Sequence, residues 1–130
     1  MTKSVDPKKA SGYITKAEGF LEIANLALQK NKYDSAVMNA VHSAISALDA
    51  LATSFKGKRA SGQHTEVLSL IQGIFSSQEY EEIKKQFTSL ISKKNESEYQ
   101  PDLMSQKDAE NSIKWAEQII TKVQAKLQTK

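Results

Sequence analysis

The stretch YDSAVMNAVHSAISALDALATSF, from Tyr33 to Phe55, has the longest amphipathic pattern of the first half of the chain. On a helical projection of about 100° per residue, its larger apolar side chains fall on one broad face. That face consists of Val37, Met38, Val41, Ala44, Ile45, Leu48, Leu51, Ala52 and Phe55. The stretch therefore predicts a long helix that turns this face toward the core of an all-α protein.

The same helix has two further faces. One carries small residues only, which would let another helix approach closely, either within the bundle or across a dimer: Ala36, Ala40, Ser43, Ala47, Ala50 and Ser54. The other is polar but lacks the lysines and glutamates of an ordinary surface, and consists of Ser35, Asn39, His42, Ser46, Asp49 and Thr53. This polar face is either simply exposed to solvent or part of a functional surface.

Helical periodicity continues on both sides of this stretch. We expect a break at Asn31-Lys32, a short glycine-containing connection after Phe55, and a polar connection with Pro101 over Lys93–Met104. The remaining helices are predicted from about Ser11 to Leu28, Gln63 to Phe75, Ser77 to Ile91 and Ser105 to Lys126. The expected fold is an all-α, antiparallel up-and-down helical bundle with four main helices and one shorter helix. Residues 1–10 are expected to be a flexible N-terminus, residues 11–127 one domain, and no strand is expected.

Composition narrows the class of protein. The 130 residues suffice for one domain, and the absence of cysteine excludes disulfides and thiolate metal sites. No signal peptide or membrane-spanning run is apparent, so a cytoplasmic protein without membrane association is expected. The net charge of +3 permits contact with nucleic acid without requiring it. No phosphate-binding glycine loop or cluster of metal ligands is present, and no metal or cofactor is expected.

The strongest chemical signal is the octet from Gly57 to His64, GKRASGQH. It contains the only arginine of the chain, Arg59, and one of its two histidines, His64. A guanidinium holds phosphate oxygens bidentately, and an imidazole exchanges protons near neutral pH. Arg59 and His64 are therefore candidate catalytic residues for cleaving RNA without a metal. A symmetric dimer would bring two copies together, one histidine acting as base and the other as acid.

Three segments, in this order, resemble the HEPN family of small helical bundles. The Tyr33–Ala50 stretch looks like the second helix of that family, and Arg59-x4-His64 matches its Arg-x4–6-His motif. The segment with Lys94, Glu98-Tyr99, Ser105 and Ala109 resembles the part that leads into its last helix. The resemblance covers roughly residues 10–125.

The resemblance implies a metal-independent endoribonuclease that acts as a homodimer, with Arg59 holding phosphate and His64 as acid or base. It further implies that Asn39, His42, Ser46 and Asp49 form a supporting polar face. Many active members are toxins neutralised by a small nucleotidyltransferase, which would make such a protein a partner here.

Two other interpretations of the sequence stay open. In active members the residue after the arginine is frequently polar, whereas here it is Ala60. A non-catalytic HEPN module that binds a nucleotide or another protein, or that serves for dimerisation, is therefore the alternative. The third possibility is a helical bundle with a structural or adaptor role, in which Arg59 and His64 do nothing.

Overall fold

The structure, a computed structural model, describes all residues from Met1 to Lys130. Its regular elements, in chain order, are β1 (Thr2–Ser4), a 3-10 turn (Pro7–Lys9), α1 (Ala10–Gln29), α2 (Tyr33–Lys56), β2 (Lys58–Ala60), a second 3-10 turn (His64–Glu66), α3 (Val67–Ile71), α4 (Ser77–Tyr99) and α5 (Gln106–Gln128). The predicted all-α bundle of four main helices and one shorter helix is confirmed. None of these helices has the length and apolar character that crossing a membrane requires.

Helix α2 is the centre of the bundle. It packs against every other helix, and Val37, Leu48 and Leu51 are completely buried. Its small-residue face lies against α1, where Ala17 and Ala24 are also completely buried. This face therefore forms a tight contact within the chain, because small side chains on both helices let the two backbones come close.

A hydrogen bond between the two helices shows how closely they approach. The buried Ser43 hydroxyl on α2 donates to the backbone carbonyl of Ala17 on α1, with 2.6 Å between the oxygens. The chain reverses between these helices at Asn31, whose φ of 58° lies in the left-handed region that asparagine tolerates. The predicted break at Asn31-Lys32 is confirmed.

Both late helices begin where the sequence places them. Ser76 and Glu79 form a reciprocal capping box at α4, and Ser105 and Asp108 form another at α5. In each, the serine hydroxyl accepts the backbone N–H three residues on, and the carboxylate accepts the serine N–H.

The predicted connection over Lys93–Met104 is wrong in its first half, because α4 continues to Tyr99. Its last two turns carry ion pairs in place of apolar residues: Lys93–Glu96 at 3.2 Å and Lys94–Glu98 at 2.9 Å. Pairs at this spacing support an exposed helix.

The predicted helix over Gln63–Phe75 is too long. It reduces to the 3-10 turn and to α3, since Gly73, with a φ of 91°, takes the chain out of helical geometry. Ile71 and Phe75 remain buried on either side of this turn.

The expectation of no strand is wrong, because Thr2–Ser4 and Lys58–Ala60 form two short strands. Strand β1 pairs antiparallel with β2, so that Lys3 lies opposite Arg59. The Val5 amide extends the ladder by donating to the Gly57 carbonyl at 2.8 Å. This ribbon joins the N-terminal segment to the strand that carries Arg59.

Candidate functional site

The candidate site begins where α2 ends. Gly57 closes the helix in the left-handed region, with a φ of 64°, and turns the chain into β2. Glycine suits this position because a side chain there would be strained. The turn carries Arg59 back beside the last part of α2, while His64 opens the 3-10 turn that packs near α4.

Arg59 lies close to Asp49, which is more than a turn before the end of α2. Burial raises the pKa of Asp49 to about 6, although the positive charge of Arg59 and a hydrogen bond with the Ala60 backbone both lower it. Arg59 itself donates from Nη1 to the Ala60 carbonyl at 3.0 Å. A half-buried carboxylate thus lies near the only guanidinium of the protein and feels its charge.

His64 lies among charged groups from two helices. Partial burial lowers its pKa, the charges of Lys94 on α4 and His42 on α2 lower it further, and the charge of Glu98 raises it. Lys94 and Glu98 form an ion pair with each other. A lowered pKa keeps the imidazole neutral at neutral pH, the form in which it accepts a proton.

His42 contributes a second imidazole to the same surface. Its ring lies against the Phe20 ring of α1, with the centroids 5.5 Å apart. Since Asp49 follows it by seven residues on the same helix, α2 presents His42 toward His64 and Asp49 toward Arg59. Helix α2 therefore supplies a neighbouring side chain to each of the two octet residues, Arg59 and His64.

The residues of the polar face of α2 have different surroundings in the structure. His42 and Asp49 lie at the candidate site, and Ser46, one turn from His42, is almost completely buried. Asn39 donates from its side chain to the Ser35 carbonyl of its own helix at 2.8 Å. Asn39 thus makes a local hydrogen bond and none with the other three residues. Because Thr53 is completely buried, the face as a whole is not an exposed surface.

Two features of this surface escape prediction from apolar helical patterns. Lys94 and Glu98 fall in the segment predicted as a connection, although charges of opposite sign at four-residue spacing indicate a continuing helix. The pairing of Lys3 with Arg59 leaves no signal in the sequence, since three-residue strands are too short to show an alternation of apolar and polar residues.

The arrangement is shallow in a single chain. Arg59 and His64 do not hydrogen-bond to each other, and neither lines any of the main surface cavities. No group of three or more histidine, aspartate or glutamate side chains is arranged to hold a metal ion. Chemically, the surface offers one fixed cation, one neutral imidazole and a second imidazole close by.

Comparison with known proteins places this fold. The chain is similar to the protein TT1696 from Thermus thermophilus, whose crystal structure superimposes with a TM-score of 0.75 at 18% identity, over 91% of this chain and 98% of that one. At this identity the likeness concerns the fold alone. No curated protein matches the sequence. The family model described as HEPN domain matches residues 10–126, which is nearly the whole chain, and the protein therefore belongs to the HEPN family.

Proposed function

We propose that the protein is a metal-independent endoribonuclease that acts as a homodimer with a composite Arg59–His64 site. One observation carries the proposal. Asp49 of α2 lies near Arg59, His42 of the same helix lies near His64, and burial and the charge of Lys94 lower the pKa of the His64 imidazole. Carboxylates whose pKa is raised by burial, as that of Asp49 is to about 6, are concentrated at functional sites.

The proposed reaction is an internal transesterification. The 2′-hydroxyl oxygen attacks the adjacent phosphorus, the bond from phosphorus to the 5′-oxygen breaks, and a 2′,3′-cyclic phosphate forms. His64 of one protomer, in its neutral form, takes the hydroxyl proton. In the fraction of dimers in which it is protonated, His64 of the other protomer gives a proton to the leaving 5′-oxygen. Arg59 holds the negative charge that develops on the non-bridging oxygens.

The shallow surface explains why a second copy is part of the proposal. One protomer supplies one motif histidine and no enclosed cavity around it. Two copies related by a two-fold axis would supply both proton-transfer groups and cover the reacting phosphate. Specific activity should therefore rise with protein concentration in parallel with the fraction of dimer measured by sedimentation.

The decisive experiment is cleavage of a fluorescent single-stranded RNA by purified protein and by the variants Arg59→Ala and His64→Ala. Loss of at least about 100-fold is expected for each, as for removal of a general acid–base group. Lys58→Ala and Gln63→Ala are matched controls, since these exposed neighbours should leave cleavage unchanged. Circular dichroism should show the same helical content in all four variants. Wild-type protein that cleaves no RNA as a dimer, or variants that cleave as fast as wild type, would reject the proposal.

The alternative is a HEPN module that binds a nucleotide or a protein without turnover. One feature favours it: Ala60, directly after Arg59, packs against the core and offers no polar side chain. Nucleotide binding that weakens in Arg59→Ala, in a protein without cleavage activity, would support this alternative.

A role as the toxin of a toxin–antitoxin system, with a small nucleotidyltransferase as antitoxin, extends the first proposal. It predicts that expression in a bacterial host stops growth and that His64→Ala abolishes this effect. Growth arrest that persists with His64→Ala would separate toxicity from the proposed site.

A further inference from the structure

A second basic feature lies near the N-terminus of the chain. A surface cavity of about 480 Å³ lies where the N-terminal segment meets the start of α1. Three lysines line it, Lys8, Lys9 and Lys16, together with the half-buried Tyr13. The cavity thus combines several positive charges with an aromatic ring.

The charges in this cavity are not neutralised by the chain. None of its three lysines forms an ion pair, although lysines elsewhere, such as Lys93 and Lys122, do. The nearby Asp6 accepts the backbone amide of Lys8 at 3.0 Å and forms no ion pair with these lysines. Lys16 lies over the Tyr13 ring, with its Nζ 5.9 Å from the ring centroid. Clustered, unpaired cations repel one another, and an anion bound between them would relieve this repulsion.

The β-ribbon connects the cavity to Arg59. Lys3 lies directly opposite Arg59 in the antiparallel register, a placement of like charges that weakens a strand pair. Because side chains alternate along a strand, Val5, two residues after Lys3, is on the same side of the ribbon as Lys3 and Arg59. Val5 also lines the lysine cavity. Val5 therefore joins the lysine cavity to the ribbon that carries Lys3 and Arg59.

We propose that this surface, the lysine track made of Lys3, Lys8, Lys9 and Lys16, binds the phosphate backbone of single-stranded RNA and leads it to Arg59. Single strands are the expected ligand because a positively charged groove with an aromatic ring suits stacked, unpaired bases. The inference rests on the proposed function for its end point, Arg59, but the binding it describes is measured without cleavage.

The experiment measures binding of a fluorescein-labelled single-stranded RNA by anisotropy, in the His64→Ala background to prevent cleavage. The test protein adds Lys8→Ala, Lys9→Ala and Lys16→Ala. The matched control adds Lys84→Ala, Lys85→Ala and Lys114→Ala, which removes the same charge from exposed, unpaired positions on α4 and α5. Each affinity is measured over a series of salt concentrations, and thermal melts confirm folding.

The salt dependence gives the expected size of the effect. Loss of three phosphate contacts should reduce the slope of log K against log salt by about 2, since each contact to a single strand contributes roughly 0.7. Affinity at low salt should fall at least about tenfold in the test protein and stay near the starting value in the control. Lys3→Ala alone should reduce the slope by roughly 0.7.

The outcomes separate this inference from the proposed nuclease. Equal losses in the test and control proteins would show a general charge effect and overturn the lysine track, as would tighter binding of an RNA duplex than of the single strand. If wild-type protein cleaves no RNA but the test protein still loses its salt slope, the track stands and the nuclease proposal fails.

Discussion

Replacement of Asp49 by asparagine is expected to stabilise the protein at neutral pH. The pKa of Asp49 is raised from 3.8 to about 6, so its ionised form is less favourable in the folded chain than in the unfolded one. A shift of this size corresponds to up to about 3 kcal/mol at pH 7. The pKa of about 6 already includes the attraction between Asp49 and Arg59, because the charge of Arg59 lowers the pKa that burial raises.

The sign follows from proton binding. Between the two pKa values the folded protein holds the Asp49 proton and the unfolded chain does not, so stability decreases as pH rises from about 4 to 6. Asparagine carries no proton to lose and keeps one oxygen for the Ala60 backbone. The gain from Asp49→Asn should therefore be fully present at pH 7 and shrink below about 1 kcal/mol at pH 4.

Urea unfolding followed by far-ultraviolet circular dichroism at pH 7 and pH 4 measures this difference. Asp102→Asn is the matched control, because Asp102 is an exposed carboxylate in the loop between α4 and α5; it should change the free energy of unfolding by less than about 0.5 kcal/mol. A loss of stability in Asp49→Asn at pH 7 would contradict this prediction and show that attraction to Arg59 outweighs burial. If the nuclease proposal holds, the stabilised variant should cleave RNA more slowly, because Arg59 loses the negative charge near it.

Three further predictions concern the bundle and His64. Gly19→Ala should raise the free energy of unfolding by about 0.5–1 kcal/mol in urea titrations, because Gly19 lies inside α1 with open space where a methyl group would go; an unchanged or lower value would contradict this. Ala47→Leu should lower it by roughly 1–3 kcal/mol, since Ala47 is completely buried. A dimer that dissociates without loss of monomer stability would instead place Ala47 at an interface between copies. In an NMR titration, the midpoint of His64 should lie below 6.5 and rise in Lys94→Gln but not in the exposed control Lys107→Gln; a midpoint that does not move would show that Lys94 is not a close neighbour.

The helices that pack the core can be predicted from the sequence, and the position of Lys94 and Glu98 near His64 cannot. In α2 and α5 apolar residues recur over many turns, so that periodicity determines both the helix and its buried face. In α4 the apolar periodicity stops at Ile91, but the helix continues to Tyr99. Ion pairs between side chains support this last part of the helix. The sequence therefore identifies Lys94 only as part of the family resemblance. It does not predict that Lys94 lies beside His64.

The ribbon and the short third helix show the other limit. Pairing of β1 with β2 joins segments far apart in the chain, and no local pattern encodes such a contact. The apolar Ile74 and Phe75 favour a third helix that extends through Gly73. These residues do pack against the core, but from a turn. Apolar character predicts that a residue is buried more reliably than it predicts the backbone that carries it.

The hairpin of α1 and α2 has a consequence for the order in which the protein folds. Its two helices are joined by only three residues and share the tightest contact of the bundle, so little chain entropy is lost in bringing them together. The ribbon, by contrast, must close a loop that contains this whole hairpin. We expect backbone amides of α2 to exchange with deuterium most slowly, and those of β1 and β2 to exchange through local opening while the bundle stays intact. The strand that carries Arg59 would then be free to adjust to a bound strand or to a second protomer without loss of the helical scaffold.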